Sequence, residues 1–400
     1  MKKTNHGLYT VLVLALFSVL LHGVTPKKWE LYRFEDFLKG KFNGISVSTS
    51  GQLSLSPREE KIDAPAEEFF LSILHGRDGK TYLGTGHSGK IYSIDKEGKI
   101  ELFAQVPEMD IYCMAQDSRG DIYAGTSPNG KIYRLTQNEK APAPFFNPQE
   151  KYIWDLKFTE QGNLLAAVGE AGGIYEISPQ GEGISILKSD ENHILCLADG
   201  GGGTILAGSG GKGHLYRLDK GKNPQILFES PFEEIKSLAV DSGGNIYIAA
   251  GGKPQDVVRD GLSQGAVRAS TDVEITVSAS PAGSQQSSRG AASASATSKE
   301  GQPSALYRLN AAGSAKKLWN SNQELIYCVV WEKDRLVFGT GNQGRLYEVA
   351  AGDKVSLILQ KDAEQIYFIQ PHQSKLYLLA NNPAGLSVPV SYTHLRAHET

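Results

Sequence analysis

A period of about 41 residues runs through the middle of this 400-residue chain and limits its fold more than any other feature. An aliphatic or aromatic anchor opens each unit: Phe70-Leu-Ser-Ile73, Ile111-Tyr-Cys-Met114, Ile153-Trp-Asp-Leu156, Ile194-Leu-Cys-Leu197, Ile235-Lys-Ser-Leu238, Ile326-Tyr-Cys-Val329 and Ile366-Tyr-Phe-Ile369. The anchors stand 41, 42, 41, 41, 91 and 40 residues apart. The one long interval is a normal unit carrying about 50 extra residues. Within a unit the order is constant. The anchor leads to a polar turn such as Asp117-Ser-Arg-Gly120, then to an aliphatic-Tyr strand such as Ile122-Tyr123 or Ile246-Tyr247. That strand ends in a Gly/Thr/Ser cluster, as in Gly84-Thr-Gly86 and Gly339-Thr-Gly341. A third strand follows with a second aliphatic-Tyr pair: Ile91-Tyr92, Ile132-Tyr133, Ile174-Tyr175, Leu215-Tyr216, Leu306-Tyr307 and Leu346-Tyr347. A weaker fourth strand closes the unit.

Four short strands joined by tight turns make one antiparallel sheet that is apolar on both faces and unstable alone. Radial stacking buries both faces, so the pattern predicts an all-β chain folded as a β-propeller. Seven anchors predict seven blades of four antiparallel strands. The seventh is expected to be truncated, because its third strand should follow Asn382 and meets a foreign-looking tail there. The alternating segment Gly44–Ser56, with a turn at Ser50-Gly51, is expected to pair with the last blade and close the ring. The third-strand tyrosines are expected to pack between blades and send their hydroxyls to the edge.

The unit from Ile111 to Leu135 resembles the repeats of bacterial WD40-like and two-component-regulator-type β-propellers. The same pattern covers roughly residues 70–380. Trp-Asp strand ends, paired Gly-His, and the sialidase and Tyr-Trp-Thr-Asp motifs are missing from it. The resemblance implies a ligand-sensing or protein-docking module; it identifies architecture far better than activity.

The remaining segments divide as follows. Residues 1–25, with Lys2-Lys3 before the apolar run Leu8–Leu21, read as an export signal or an N-terminal anchor, placing the rest in the periplasm or outside the cell. Residues 26–69 are a lead-in carrying the hairpin, and 70–389 are the propeller. Residues 253–303 interrupt the fifth unit with a Ser/Ala-rich stretch lacking aromatics, read as a disordered insertion. Residues 390–400 break the repeat and resemble one reading frame of a sequencing adapter, so the chain is expected to be a fragment.

Composition excludes several functions. A net charge of −3 gives no basic footprint for nucleic acid. Three cysteines rule out a disulfide scaffold; Cys113, Cys196 and Cys328 share one position in alternate units and read as small core residues. His75, His87, His193, His214 and His372 share no ligand spacing, and no cofactor or metal is implied. The links between units are acidic: Glu108, Asp110, Glu150, Glu191, Glu233, Glu234, Glu324 and Glu364 each fall just before an anchor and should form a negative rim at one channel mouth. Beneath them come Tyr112, Trp154, Tyr327 and Tyr367, second in their anchors. Two readings of these aromatics stay open, a binding surface and simple packing between blades. The candidate ligand-binding set is therefore Tyr112, Trp154, Tyr327, Tyr367, Glu150 and Glu234. The function expected is an exported, non-enzymatic module binding a protein partner or a carbohydrate. The alternative is a metal-dependent propeller hydrolase or lactonase using Glu150, Asn192 and Asp155. A sensor domain of a membrane receptor is a third idea.

Overall fold

A computed structural model describes residues 33–136, 142–254 and 303–390. A short helix, Phe34–Phe37, belongs to a small unit ending at Gly40. Everything else described is strand and turn. Four antiparallel strands make up the first repeat: Phe69–His75, Thr81–Gly86, Lys90–Ile94 and Ile100–Gln105. The same meander recurs, so that among the described residues there are seven such groups. Their anchor strands are Phe69–His75, Asp110–Gln116, Tyr152–Phe158, His193–Gly201, Phe232–Val240, Ile326–Glu332 and Gln365–His372. Each anchor strand touches the next, and the seventh touches the first. The anchors are therefore innermost and the sheets radiate from them. This is a β-propeller, with cores lying between neighbouring sheets. One such core joins Cys113 and Tyr123 of the second repeat to Ile153, Leu156 and Leu164 of the third. Second strands are sandwiched on both sides, and Ile122–Ser127 is buried at every residue.

Two details of the ring differ from the expectation. The last sheet is not truncated: Gly385–Val390 forms its third strand beside Lys375–Asn381. Nor does the hairpin close the ring. Ile45–Ser48 and Leu53–Leu55 instead extend the sixth sheet outward, pairing beside Lys354–Gln360. Closure falls to the next strand, Arg58–Ile62, which pairs along Gly385–Val390 as the fourth strand of the last sheet. The hairpin's alternation suits any exposed sheet edge, so alternation did not select its partner. Most of the insertion expected to be disordered, residues 255–302, lies outside the described residues, as do residues 1–32 and 391–400. Its flanking strands, Ile246–Pro254 and Ser304–Leu309, pair directly.

Asn381 completes the seam between the last and first sheets. Its side-chain oxygen accepts the Phe70 backbone N–H at 3.1 Å, and its Nδ2 donates to the Phe70 carbonyl at 2.9 Å. At the far end of the same seam His75 lies parallel to His372, with ring centroids 4.2 Å apart, and against Tyr377.

Another correction concerns the acids. Glu108, Glu191 and Glu324 are only 6%, 4% and 3% exposed and do not form a solvated rim. Each reaches across its own sheet to a cation and to the third-strand tyrosine. Glu324 holds Arg345 at 2.7 Å and the Tyr347 hydroxyl at 3.1 Å. Glu108 holds Lys131 at 3.0 Å and Tyr133 at 3.2 Å; Glu191 meets His214 at 2.7 Å and Tyr216 at 3.4 Å. Glu67 does the same with Lys90 and Tyr92. The tyrosine hydroxyls thus point to an internal carboxylate, which needs every available donor once it is out of water.

Glu324→Ala leaves the Arg345 guanidinium without the carboxylate that faces it. The expected loss is about 3–5 kcal/mol of unfolding free energy. Glu150→Ala, at a half-buried equivalent that accepts only backbone N–H groups, should cost about 1 kcal/mol or less. Equal losses in urea titrations of the two variants would overturn the brace. Burial, helped by the neighbouring His372, pulls the pKa of His75 down to about 4. The unfolded chain binds a proton there below about 6.5 and the folded chain does not, so folding stability should fall as pH drops from 6.5 towards 4. His75→Phe should flatten stability against pH in that window; an unchanged slope would remove His75 from the explanation.

Candidate ligand-binding mouth

The inner strands share a local irregularity that creates the site. Pairing between anchor and second strand skips one residue at the same point in each repeat. The skipped residues are Leu71, Tyr112, Trp154, Leu195, Lys236, Tyr327 and Tyr367. A bulged residue leaves the ladder and its side chain is re-aimed. Here that puts one side chain per repeat on the innermost strand, beside the links that join the sheets.

Glycines of the second strands make room on both sides of the bulge. A Cβ at Gly341 would collide with the Tyr327 ring, and one at Gly169 with His193 and Trp154. Two residues earlier, a Cβ at Gly339 would meet Ile366 of the next repeat at 2.6 Å. The Gly-Thr-Gly cluster is thus a double close approach, one side toward the bulge and the other toward the next sheet.

The third residue of each anchor joins neighbouring sheets. Ser72 Oγ donates to the Ile111 carbonyl at 2.7 Å. Cys113 and Cys196 place Sγ 3.5 Å from the carbonyls of Ile153 and Ile235. All three cysteines are free and buried. Asp155, weighed above as a metal ligand, belongs to this set: its carboxylate accepts the Leu197 N–H at 2.8 Å. Burial raises its pKa to about 6 against the pull of that bond. Among the described residues no group of three or more His, Cys, Asp and Glu is placed to hold a metal ion.

The four aromatic candidates fall into two neighbouring pairs. Tyr112 and Trp154 have ring centroids 4.8 Å apart, and Tyr327 and Tyr367 5.4 Å. Tyr367 lies within electrostatic reach of both Tyr112 and Tyr327. Tyr152 and His193 enlarge the first pair. Tyr152 stacks on Trp154 at 4.8 Å, and the indole Nε1–H donates to His193 Nδ1 at 3.2 Å. Sequence reasoning passed over Tyr152 and set His193 aside. Gly169, whose missing side chain admits the imidazole, is the signal that could have found it.

Burial pushes the Tyr112 phenol up to about 12, with Asp110 and Tyr152 adding to it. It raises Tyr327 too, assisted by Glu234, and Tyr367 further. These hydroxyls stay protonated donors. Burial lowers the His193 pKa against the opposing charges of Glu234, Glu170 and Glu150. His193 is therefore neutral at pH 7, and because Nδ1 accepts from Trp154 its proton sits on Nε2. Glu234 pairs with Lys236 at 2.5 Å. Glu150 is half-buried, accepts the backbone N–H groups of Glu170 and Ala171, and borders a polar groove of about 540 Å³ with Asn129, Asn147 and Lys151. The aromatic candidates thus sit at one end of the inner strands, with the Glu150 and Glu234 carboxylates within electrostatic reach of His193. The arrangement offers aromatic edges, neutral donors and two carboxylates.

No helix among the described residues is long and apolar enough to cross a membrane. No family model and no curated protein matches the chain. Solved structures do. Virginiamycin B lyase from Staphylococcus aureus, solved with quinupristin, aligns with a TM-score of 0.61 at 10% identity, over 83% of this chain and 99% of that one. The extracellular domain of a putative hybrid two-component system from B. thetaiotaomicron aligns with a TM-score of 0.58 at 12% identity, over 83% of this chain and 42% of that one. The WD40 repeats of RRP9 align with a TM-score of 0.56 at 10% identity, over 84% and 98%. At such identities the likeness is one of fold, and the resemblance to WD40-like propeller-repeat proteins holds.

Proposed function

We propose that this chain is an exported, non-enzymatic propeller of seven blades that docks a partner protein at the mouth lined by Tyr112, Trp154, Tyr327 and Tyr367. The carrying observation is the shared bulge, which brings aromatic side chains of four repeats to one end of the ring beside Glu150 and Glu234. A partner protein suits this surface better than a sugar. Sugar stacking needs open ring faces, and here Trp154 already stacks on Tyr152 while Tyr327 and Tyr367 lean on each other. What remains are ring edges, phenol hydroxyls and carboxylates, the mixture found at protein interfaces. The WD40 and extracellular-sensor relatives in fold support the same reading, and the N-terminal apolar run supports export. The metal-hydrolase alternative loses support because Asp155 is spent on the Leu197 amide.

A photo-crosslinking residue placed at Tyr327 should capture a defined partner from the exported fraction, and one placed at the outer-edge Leu102 should not. Trp154→Ala combined with Tyr327→Ala should then weaken that partner's binding by about 30-fold or more, the effect of losing a central aromatic anchor. Unchanged affinity in a folded double variant would reject the mouth as the binding surface.

A further inference from the structure

A second site lies at the opposite end of the ring, between the third and fourth sheets. It begins with a position that four of the seven repeats fill with a tyrosine. The second-strand residue paired with the fifth anchor residue is Tyr82, Tyr123, Tyr247 and Tyr377 in repeats one, two, five and seven. Three of these rings reach the next sheet. Tyr123 meets Phe158 at 5.2 Å, Tyr247 stacks on Trp331 at 5.3 Å, and Tyr377 meets His75 at 4.2 Å. Those partners hold one position, the sixth residue of the next anchor.

In the third repeat the tyrosine's place is taken by Leu165, paired with Lys157. The sixth residue of the following anchor is Asp199, which is exposed. Neither ring is present in this seam, as in the seams that follow repeats four and six, where Leu206 and Val337 stand at the tyrosine's place; here a cleft of about 380 Å³ opens. Leu165, Ile186, Ile205 and Leu218 provide apolar lining. Its rim is charged and of mixed sign, with Glu160, Glu176 and Asp219 beside Lys157, Lys220 and Lys222. The size falls in the usual range for small-molecule sites, roughly 300–1,000 Å³. Elsewhere the fold shows how a phenol sits at this position: Tyr82 packs among Ile91, Val106 and Ile122 with Phe103 at its edge and donates its hydroxyl to Asp78 at 2.8 Å, and Tyr247 donates to Asp241 at 3.1 Å.

From the open seam, the apolar lining and the carboxylates in its charged rim, we infer that this cleft binds a small phenolic molecule, with its ring on Leu165, Ile205 and Leu218 and its hydroxyl toward Glu160 or Glu176. This site is separate from the channel mouth and does not depend on the docking proposal.

The test uses the full chain and p-cresol, the free form of the tyrosine ring. Titration followed by calorimetry and by protein-observed NMR should give saturable binding of one molecule per chain. Leu165→Tyr places in the cleft the ring that other seams carry. It should weaken p-cresol binding at least tenfold while raising Tm. Ile205→Phe fills the same space from the next sheet and serves if Leu165→Tyr fails to fold. Trp154→Ala, at the other end of the ring, should leave p-cresol binding unchanged. Absence of saturable binding to the native chain, or full affinity in both folded cleft variants, would overturn the assignment.

Discussion

A ring of sheets is stable only if its first and last members meet, and here that junction is made by a strand from the other end of the chain. Arg58–Ile62 pairs residue by residue with Gly385–Val390, across more than 320 positions of sequence. Bringing such distant ends together costs about 5 kcal/mol of loop-closure entropy on a simple chain estimate. Several specific contacts offset that cost. The strand supplies its ladder, Glu59 pairs with the largely buried Lys361, and Asn381 satisfies both backbone groups of Phe70. Once the seam is sealed, each sheet has a neighbour on both faces, and the second strands can be apolar throughout without exposing anything.

The inner and outer parts of each repeat then answer to different demands. Toward the axis, the bulge and the paired glycines allow sheets to crowd together while one side chain per repeat is turned out of the ladder. At the link between sheets, an acid three residues or so before the anchor is pulled inward by a cation and a tyrosine. That brace forms in repeats one, two, four and six, where Lys90, Lys131, His214 and Arg345 precede the aliphatic-Tyr pair. Repeat three has Gly173 in that place. With no cation at that place, Glu150 stays only half-buried and turns to the backbone of Glu170 and Ala171. The acid left over by the packing scheme is the one that borders the mouth.

The spacing of anchors exposed the propeller, and the order of strands within each repeat, because burial of two faces imposes a pattern on many residues at once. The mouth aromatics were also visible, since they occupy one repeat position, although the bulge that turns them was not: it is a backbone irregularity with no residue preference of its own. The acids misled. Glu108 and Glu150 look alike in sequence, and only the residue about 23 positions later, Lys131 in one case and Gly173 in the other, decides which is buried. The closing strand was missed because Arg58-Glu-Glu-Lys-Ile62 is charged. An edge strand needs only its ladder bonds, and its side chains alternate between exposed and half-buried. Charge on an edge also discourages further pairing, so the residues that hide the strand from a hydrophobic pattern are those that suit it to end a sheet.

Repetition makes departures from the repeat informative. In a propeller each seam solves the same packing problem, so a seam solved differently reflects either drift or a local task. A small residue substituted at random into an aromatic pair would leave a cavity costing about 24 cal/mol per Å³, and neighbouring side chains would be expected to shift into it. Around Leu165 they do not close the gap: Asp199 points to solvent and Ile186 and Ile205 remain only half-buried. The cleft also opens among polar turns, where water or a ligand can enter, and so avoids the penalty of an empty sealed void. Lys236 is a departure of the same kind at the other end, a charge in a ring of otherwise aliphatic and aromatic bulge residues, held there by Glu234. The two ends of this molecule thus differ from repeat to repeat in single residues. The scaffold absorbs them because closure depends on a seam that neither exception touches.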